Sequence, residues 1–545
     1  MHLINYLLRN KFLLGVLFFY ALLMLSIIDW GIPNQDHPFT YNMDEWHQLQ
    51  AVRATFKNLS PNVPGSAHGT MFQFILTGIY LIPFYILKII NPFEITSSVS
   101  SLIMQHRLFE VLRLNTLIFG LLSIFFIAKI AKEYLKINQN TVVVLFVFAP
   151  LWLSLSNYFK YDIALVFWLI LSLFYLLKFG SKPTFRKYLL AGIFCSLSVA
   201  TKISALPIFL IYIISYFWFY KKNKWKLTEL FLGVLVFIVI FLFFGIPDLL
   251  LSKGNWGEFL HSNLISGSSG YNNVLTGFNS WWQYLLFKIL PIDFGYGFYL
   301  LYTIGILYWI MLFLKSFFEK RTFLFKNELF LLFCFLLFAL SLVPLKLGAN
   351  GNRLLVLLPF FALLSGSFLQ RVKYPITTIK IIISGLLVFI FIIQFYQSII
   401  MFYVKWLPDV RQTSSQWMIK NFKKETLIGI ENIPIYQLLP DIIIRDFYSN
   451  ERVNNYQTSF RYKVVDASSK TLPSIVVITN KKLESSFFKE SPKRLLIKRL
   501  IREKYREVIE FNPPLILYLF AGNELNYSIS ALAPISSLSV FSKER

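Results

Sequence analysis

Eleven apolar stretches follow one another through residues 1–403, and nothing else in the chain constrains its fold as strongly. They are Phe12–Trp30, Val111–Ile130, Thr141–Ser156, Ile163–Leu177, Tyr188–Ala200, Ile203–Tyr220, Leu227–Ile246, Phe294–Leu314, Glu328–Pro344, Leu354–Leu369 and Ile381–Tyr403. A helix of about 17–25 apolar residues crosses a bilayer, because it satisfies its own backbone polar groups in lipid. Several of these stretches are short for a span, and we expect them to run on by a turn. Composition agrees: 56% of residues are hydrophobic and 15% charged, against about 25% charged in a soluble domain. A soluble enzyme and a disordered chain are both excluded. The first stretch follows Arg9 and Lys11 with no small-residue cleavage site after it, so it reads as an uncleaved span.

Charge between the stretches sets an orientation. With the N-terminus inside, the inner connections carry Lys129, Lys132 and Lys136, then Lys178, Lys182, Arg186 and Lys187, then Lys221, Lys222, Lys224 and Lys226. Lys315, Lys320, Arg321 and Lys326 follow, then Arg371, Lys373 and Lys380. Every inner connection is basic, as the positive-inside bias requires. This holds only if a twelfth apolar run, Met71–Ile90, does not cross. We expect it to lie in the interface or to re-enter, within a first outer loop of residues 31–110. The formal charge of +25 is thereby explained by bilayer orientation, and nucleic acid is not an expected partner. Cys195 and Cys334 both fall inside apolar runs, which speaks against a disulfide framework.

After Tyr403 the composition becomes more polar. Ser414–Phe422 and the basic stretch Leu495–Ile509 read as helical, and Leu427–Ile430, Ser474–Thr479 and Leu515–Phe520 read as strands. The expected fold class is an α-helical polytopic membrane protein with about eleven transmembrane helices plus interfacial helices, residues 1–403. A small C-terminal α/β extracytoplasmic domain, residues 404–545, completes it.

An ionisable group at membrane depth is costly, so such groups mark function by default. Asp44-Glu45, in Tyr41-Asn42-Met43-Asp44-Glu45-Trp46-His47, follows the first span. Adjacent carboxylates can split roles, one acting as general base; a solvated loop acid is the plainer reading. Asp162 opens the fourth stretch on the same expected face, where it can line a cavity with Asp44 or simply cap the helix. Lys202 sits between two apolar runs; if buried it needs an anion, either a protein carboxylate or a lipid phosphate, and the plainer reading is a lysine that snorkels to the interface. Arg353 opens a span and offers a planar fork suited to phosphate oxygens, or simply anchors the span at the interface. Arg107 and Arg113 are further candidates, with Glu110 near enough in sequence to neutralise them. His47, Tyr161 and, in the outer loop Asp248–Pro291, His261 are candidate cavity residues. No histidine pair has ligand spacing.

In order, these pieces resemble the GT-C superfamily of lipid-carrier-dependent glycosyltransferases, and within it family 39, the protein O-mannosyltransferase and aminoarabinose-transferase group. The likeness runs over about residues 10–435. It rests on Asp44-Glu45 after the first span, an apolar segment after the turn Gly65–Gly69 leading to Arg107, and Tyr158–Asp162 opening a span. It continues in Ser196–Lys202 ending Thr-Lys, in Arg353–Pro359, and in Asp409-Val410-Arg411 with Trp417–Asn421, which looks like the family's approach to its outer domain. Arg353–Pro359 lacks the tyrosine of the family's Arg-Tyr-Leu-Leu-Pro element. Nothing beyond about residue 435 matches.

The resemblance implies a plasma-membrane enzyme that moves a sugar from a polyprenyl-phosphate donor to a protein, lipid or glycan acceptor on the extracytoplasmic face. Asp44 would be the base, Glu45 and Asp162 its partners, and Lys202, Arg353 and Arg107 would hold the lipid phosphate. We expect the carboxylates on one wall of a single pocket and the cations on the other. No cofactor is required, and a divalent metal stays open. The rival readings are a multi-pass transporter or lipid flippase, which would use the same charges for coupling, and a scaffold or polymer-export component.

Overall fold

Apolar sequence becomes helix at each of the eleven stretches. The structure is a computed structural model that describes residues 10–33, 40–58, 71–93, 99–220, 226–245, 283, 285–319, 325–343, 351–372, 377–423, 426–430, 461–479, 492–512 and 537–544. The helices are α1 Lys11–Leu25, α2 Met43–Asn58, α3 Met71–Ile86, α4 Val99–Lys129, α5 Gln139–Val147, α6 Pro150–Ser156, α7 Tyr161–Ser181 and α8 Phe185–Thr201. Then come α9 Pro207–Phe219, α10 Leu227–Ile240, α11 Leu290–Phe294, α12 Tyr296–Phe318, α13 Lys326–Leu342, α14 Leu358–Arg371, α15 Thr377–Trp406 and α16 Val410–Asn421.

Among the described residues six helical segments are long and apolar enough to cross a bilayer: Met104–Leu135, Tyr161–Ser181, Leu227–Gly245, Tyr296–Phe318, Asn352–Arg371 and Ile381–Ile400. The pair α5 and α6, bent by 67°, makes a seventh if counted as one span. The other stretches expected to span form shorter helices, α8 and α13 having 17 residues each. Helix α3 has 16 residues. At 1.5 Å per residue it is about 24 Å long, short of the roughly 30 Å hydrocarbon layer. Ile79, Ile82 and Ile86 leave its outer side exposed. Its inner side is pinned: Gln73 Nε2 donates to Thr201 Oγ1 at 2.9 Å, and Thr77 and Tyr161 share a hydroxyl contact at 3.2 Å.

The bend in α5–α6 frees backbone groups that lipid cannot satisfy. Helix α15 satisfies them. Gln394 Nε2 and Ser398 Oγ both donate to the Phe148 carbonyl, at 2.7 and 2.6 Å. Gln394 Nε2 also donates to the Phe294 carbonyl at 3.1 Å, and its Oε1 accepts from the Phe298 N–H at 3.2 Å. Between those residues Gly295 has φ +84°, and a Cβ there would run into the Gln394 amide. Gly295→Ala is therefore expected to destabilise the protein by about 2–4 kcal/mol, from strain plus overpacking. Thermal unfolding in detergent, read beside Gly385→Ala where a Cβ meets nothing within 4 Å, checks this.

The C-terminal part is a five-stranded sheet of order β2-β1-β3-β5-β4. Its strands are β1 Leu427–Ile430, β2 Arg461–Val464, β3 Ile475–Thr479, β4 Tyr505–Phe511 and β5 Leu538–Lys543. Strand β1 runs parallel to β2 and β3, and β5 antiparallel to β3 and β4. Helix α17, Pro492–Arg502, buries Leu496 and Leu500 against Val476, Ile478 and Phe541. On the other side α16 packs on β4 and β5. The stretch Leu495–Ile509, expected to be one helix, is corrected: the helix stops at Arg502, Lys504 turns the chain at φ +60°, and Tyr505 starts a strand. The aromatic and β-branched residues Tyr505, Val508, Ile509 and Phe511 suit a pleated surface better than a helix. The strand expected at Leu515–Phe520 lies outside the described residues.

Candidate active site

Helix α2 begins beside the end of α1. Its first turn holds Asp44 and Glu45, where the helix dipole favours negative charge, and the Asp44 N–H donates to Asn42 Oδ1 at 3.1 Å. Successive helical residues point about 100° apart, so the two carboxylates diverge. Glu45 turns inward and is fully buried. The Arg113 fork grips it, Nε to Oε1 at 2.9 Å and Nη2 to Oε2 at 2.8 Å. The Phe159 N–H adds a bond to Oε1 at 2.7 Å. Arg113 Nη1 also donates to the carbonyls of Ile28 and Trp30, both at 2.7 Å. One ion pair thus ties α1, α2, α4 and the turn before α7.

Asp44 points the other way, into a row of charges. Its Oδ2 lies 2.6 Å from Lys160 Nζ. Lys160 Nζ is 3.9 Å from Asp162 Oδ2, and Asp162 Oδ1 accepts from Lys202 Nζ at 2.7 Å. The order is Asp44, Lys160, Asp162, Lys202. The inner two side chains are 3% and 2% exposed, whereas Asp44 and Lys202, at the two ends, are 20% and 18% exposed. Burial works against the Lys160 ammonium, and the carboxylates of Asp44 and Asp162 outweigh it, so its pKa is raised. Arg353 is half-buried in a 3₁₀ turn, Gly351–Leu357, that packs on α6 and α7, and it feels the negative charge of Asp162.

The sequence-based candidates therefore divide. Asp44, Asp162 and Lys202 meet, with Arg353 close by. The expected segregation of acids from cations is corrected: they alternate, because unpaired charges of one sign cannot share a buried wall. Of the two anions weighed for Lys202, a protein carboxylate faces it here. Glu45 does not join the row, since Arg113 and the Phe159 N–H engage both its oxygens. The expected neutraliser of Arg113 is also corrected. Glu110 faces His106 at 3.7 Å instead, and Arg107 is exposed on α4. Tyr161 is buried beneath α3. The side chain of His47, and all of His261, lie outside the described residues. Among the described residues no group of three or more His, Cys, Asp or Glu could hold a metal ion.

Three buried cations at this end of the bundle were not among the candidate site residues, although Arg411 was read as part of the approach to the outer domain. Lys160 was visible within Tyr158–Asp162 but is the hinge of the row. Lys405, at the end of α15, is buried over the Tyr158 and Trp30 rings, 4.8 and 5.1 Å from their centroids. Arg411 pairs with Asp409 and lies 3.4 Å from the Tyr41 ring centroid. Trp406 Nε1 donates to Ser26 Oγ at 3.1 Å. The stem of the C-terminal domain therefore sits at the same end of the bundle as Asp44.

Residues 95–246, which contain Arg113, Lys160, Asp162 and Lys202, match the family described as dolichyl-phosphate-mannose-protein mannosyltransferase. The chain resembles the GT-C superfamily of glycosyltransferases. ArnT from Cupriavidus metallidurans bound to undecaprenyl phosphate is 15% identical, over 67% of this chain and 61% of that one, with a TM-score of 0.40. The archaeal oligosaccharyltransferase AglB from Archaeoglobus fulgidus, in complex with an inhibitory peptide and a dolichol-phosphate, is 14% identical over 77% of this chain and 62% of its own, with a TM-score of 0.43. Apo ArnT from the same Cupriavidus species is 13% identical over 78% and 84%, with a TM-score of 0.42. This chain thus spans about three fifths of the first two chains' lengths. No curated protein matches its sequence.

Proposed function

We propose that this chain is a membrane glycosyltransferase that moves a sugar from a polyprenyl-phosphate donor to an acceptor hydroxyl on the extracytoplasmic face, with inversion. The observation that carries this reading is the row Asp44–Lys160–Asp162–Lys202, with its carboxylate end and its ammonium end both partly open. The family match over Asp162 and Lys202 supports it.

Asp44 takes the proton from the acceptor hydroxyl. The hydroxyl oxygen bonds to the anomeric carbon as the bond from that carbon to the phosphate oxygen breaks. The lipid phosphate leaves with one more negative charge, which Lys202 and Arg353 receive. Asp162 lies between and positions the two ammoniums, Lys160 on the side of the base and Lys202 on the side of the leaving phosphate. Glu45 acts indirectly, by fixing the start of α2. The C-terminal α/β domain, at the same end of the bundle, lies outside the membrane on the acceptor side.

The test is purification with extracted lipids, followed by mass spectrometry of a co-purifying prenyl-phospho-sugar and its transfer to envelope acceptors. Absence of any such lipid, with no transfer, would sink the reading. Lys202→Met and Arg353→Met are each expected to lower retention of that lipid about tenfold or more, the worth of a hydrogen bond to a charged group. Unaltered retention in both places the phosphate elsewhere.

A further inference from the structure

Two carboxylates stand within reach of one ammonium. Lys160 Nζ is 2.6 Å from Asp44 Oδ2 and 3.9 Å from Asp162 Oδ2. That Asp162 oxygen is buried and takes no hydrogen bond among the described residues, while its other oxygen accepts from Lys202. A charge-assisted contact closes at about 2.7–2.9 Å, so a swing of roughly 1 Å would seat the ammonium on Asp162. The lysine stem is flexible enough for such a swing. A movement of that size directly away from Asp44 lengthens the Asp44 contact to about 3.6 Å, past hydrogen-bonding distance.

We propose that Lys160 is a positioning residue with two seats: it caps Asp44 in the resting protein and moves onto Asp162 as the acceptor hydroxyl arrives. The proposal rests on the reading of Asp44 as base. While capped, Asp44 is a weaker base, because a bound ammonium stabilises its charged form. The arriving hydroxyl replaces the ammonium as a donor to Asp44, so the carboxylate is bonded in both states. Without acceptor the base is withheld from water, which protects the donor from hydrolysis. The charged groups around Lys160 fit this arrangement. Helix α2 supplies Asp44 and Glu45, with Glu45 neutralised by Arg113 of α4. Helix α7 supplies Asp162, which Lys202 at the end of α8 holds from the far side and Arg353 attracts.

Two measurements on the full chain test it. The first needs no substrate. Infrared titration of protein labelled with ¹³C-aspartate, with the Asp44→Asn spectrum subtracted, follows the Asp44 carboxyl alone. Lys160→Gln is expected to raise the pH of its protonation by about one unit or more. Lys160→Arg, which keeps the charge, is expected to leave it in place. The second uses the lipid-linked sugar that co-purifies, and compares free sugar released with sugar transferred. Lys160→Gln is expected to raise that ratio about tenfold. Lys160→Arg, whose planar fork can engage both carboxylates at once, is expected to lower kcat about tenfold without raising the ratio.

An unmoved Asp44 titration or an unchanged ratio in Lys160→Gln overturns the proposal, and so does wild-type kcat in Lys160→Arg. The arginine variant decides alone if the glutamine variant does not fold. Full transfer activity in Asp44→Asn would instead remove the base assignment, while an infrared shift in Lys160→Gln would still establish the Asp44–Lys160 pairing.

Discussion

Asp44→Asn is expected to lower sugar transfer by about 10²–10⁴-fold, the usual contribution of a positioned general base. The fold should survive. Asn is close in shape, its amide oxygen still accepts a hydrogen bond from Lys160, and Asp162 remains 3.9 Å from that ammonium. The buried Lys160 ammonium loses its nearer carboxylate but keeps Asp162, so a modest loss of stability is expected beside the loss of turnover. The effect should fall on kcat with donor retention intact, because the phosphate cations are at the far end of the row. Turnover and lipid retention measured on the same preparation separate the two. Asp44→Glu is a useful companion: it keeps the carboxylate but displaces it by about one bond length, and displacement of that order costs about 10²-fold. Wild-type turnover in Asp44→Asn would end the base assignment, whatever the state of the row.

The membrane helices were legible because a bilayer imposes one requirement that sequence states openly, an unbroken apolar run. Leu427–Ile430 and Ser474–Thr479 were legible as strands for a related reason, their short β-branched runs between polar segments. Ionic pairing was not legible. It depends on which face of a helix a residue occupies and on what packs there from far away in the chain. Glu110 is three residues before Arg113, yet Glu45 is the residue that Arg113 grips. Asp44 and Glu45 are adjacent, yet one joins the charge row and the other anchors the helix. Lys160 looked ordinary because a lysine near an aspartate in a turn is commonplace; burial gives it significance. Lys405 and Arg411 come after the last apolar stretch, where the composition turns polar and gives no sign of burial. The structure packs them against Trp30, Tyr41 and Tyr158.

The Glu45–Arg113 pair should prove the more damaging place to cut. Both side chains are essentially unexposed, and every strong donor of the guanidinium fork named above meets a carboxylate or a carbonyl. Glu45→Gln leaves Arg113 charged in a site that water does not reach. Removing one partner of such a pair typically costs about 3–5 kcal/mol. Arg113→Met should cost as much, since it strands the Glu45 carboxylate and the carbonyls of Ile28 and Trp30. The double variant is expected to lose clearly less than the sum of the singles, because neither charge is then left alone. Chemical denaturation in detergent of the four proteins measures this cycle. Transfer activity should fall with the first single change even below the unfolding transition, for the start of α2 and the turn bearing Lys160 share that anchor through the Phe159 N–H. Either single variant unfolding within about 1 kcal/mol of wild type would show that the pair is incidental to stability. The placement of Asp44 would then have to come from elsewhere in the packing of α2 against α3 and α4.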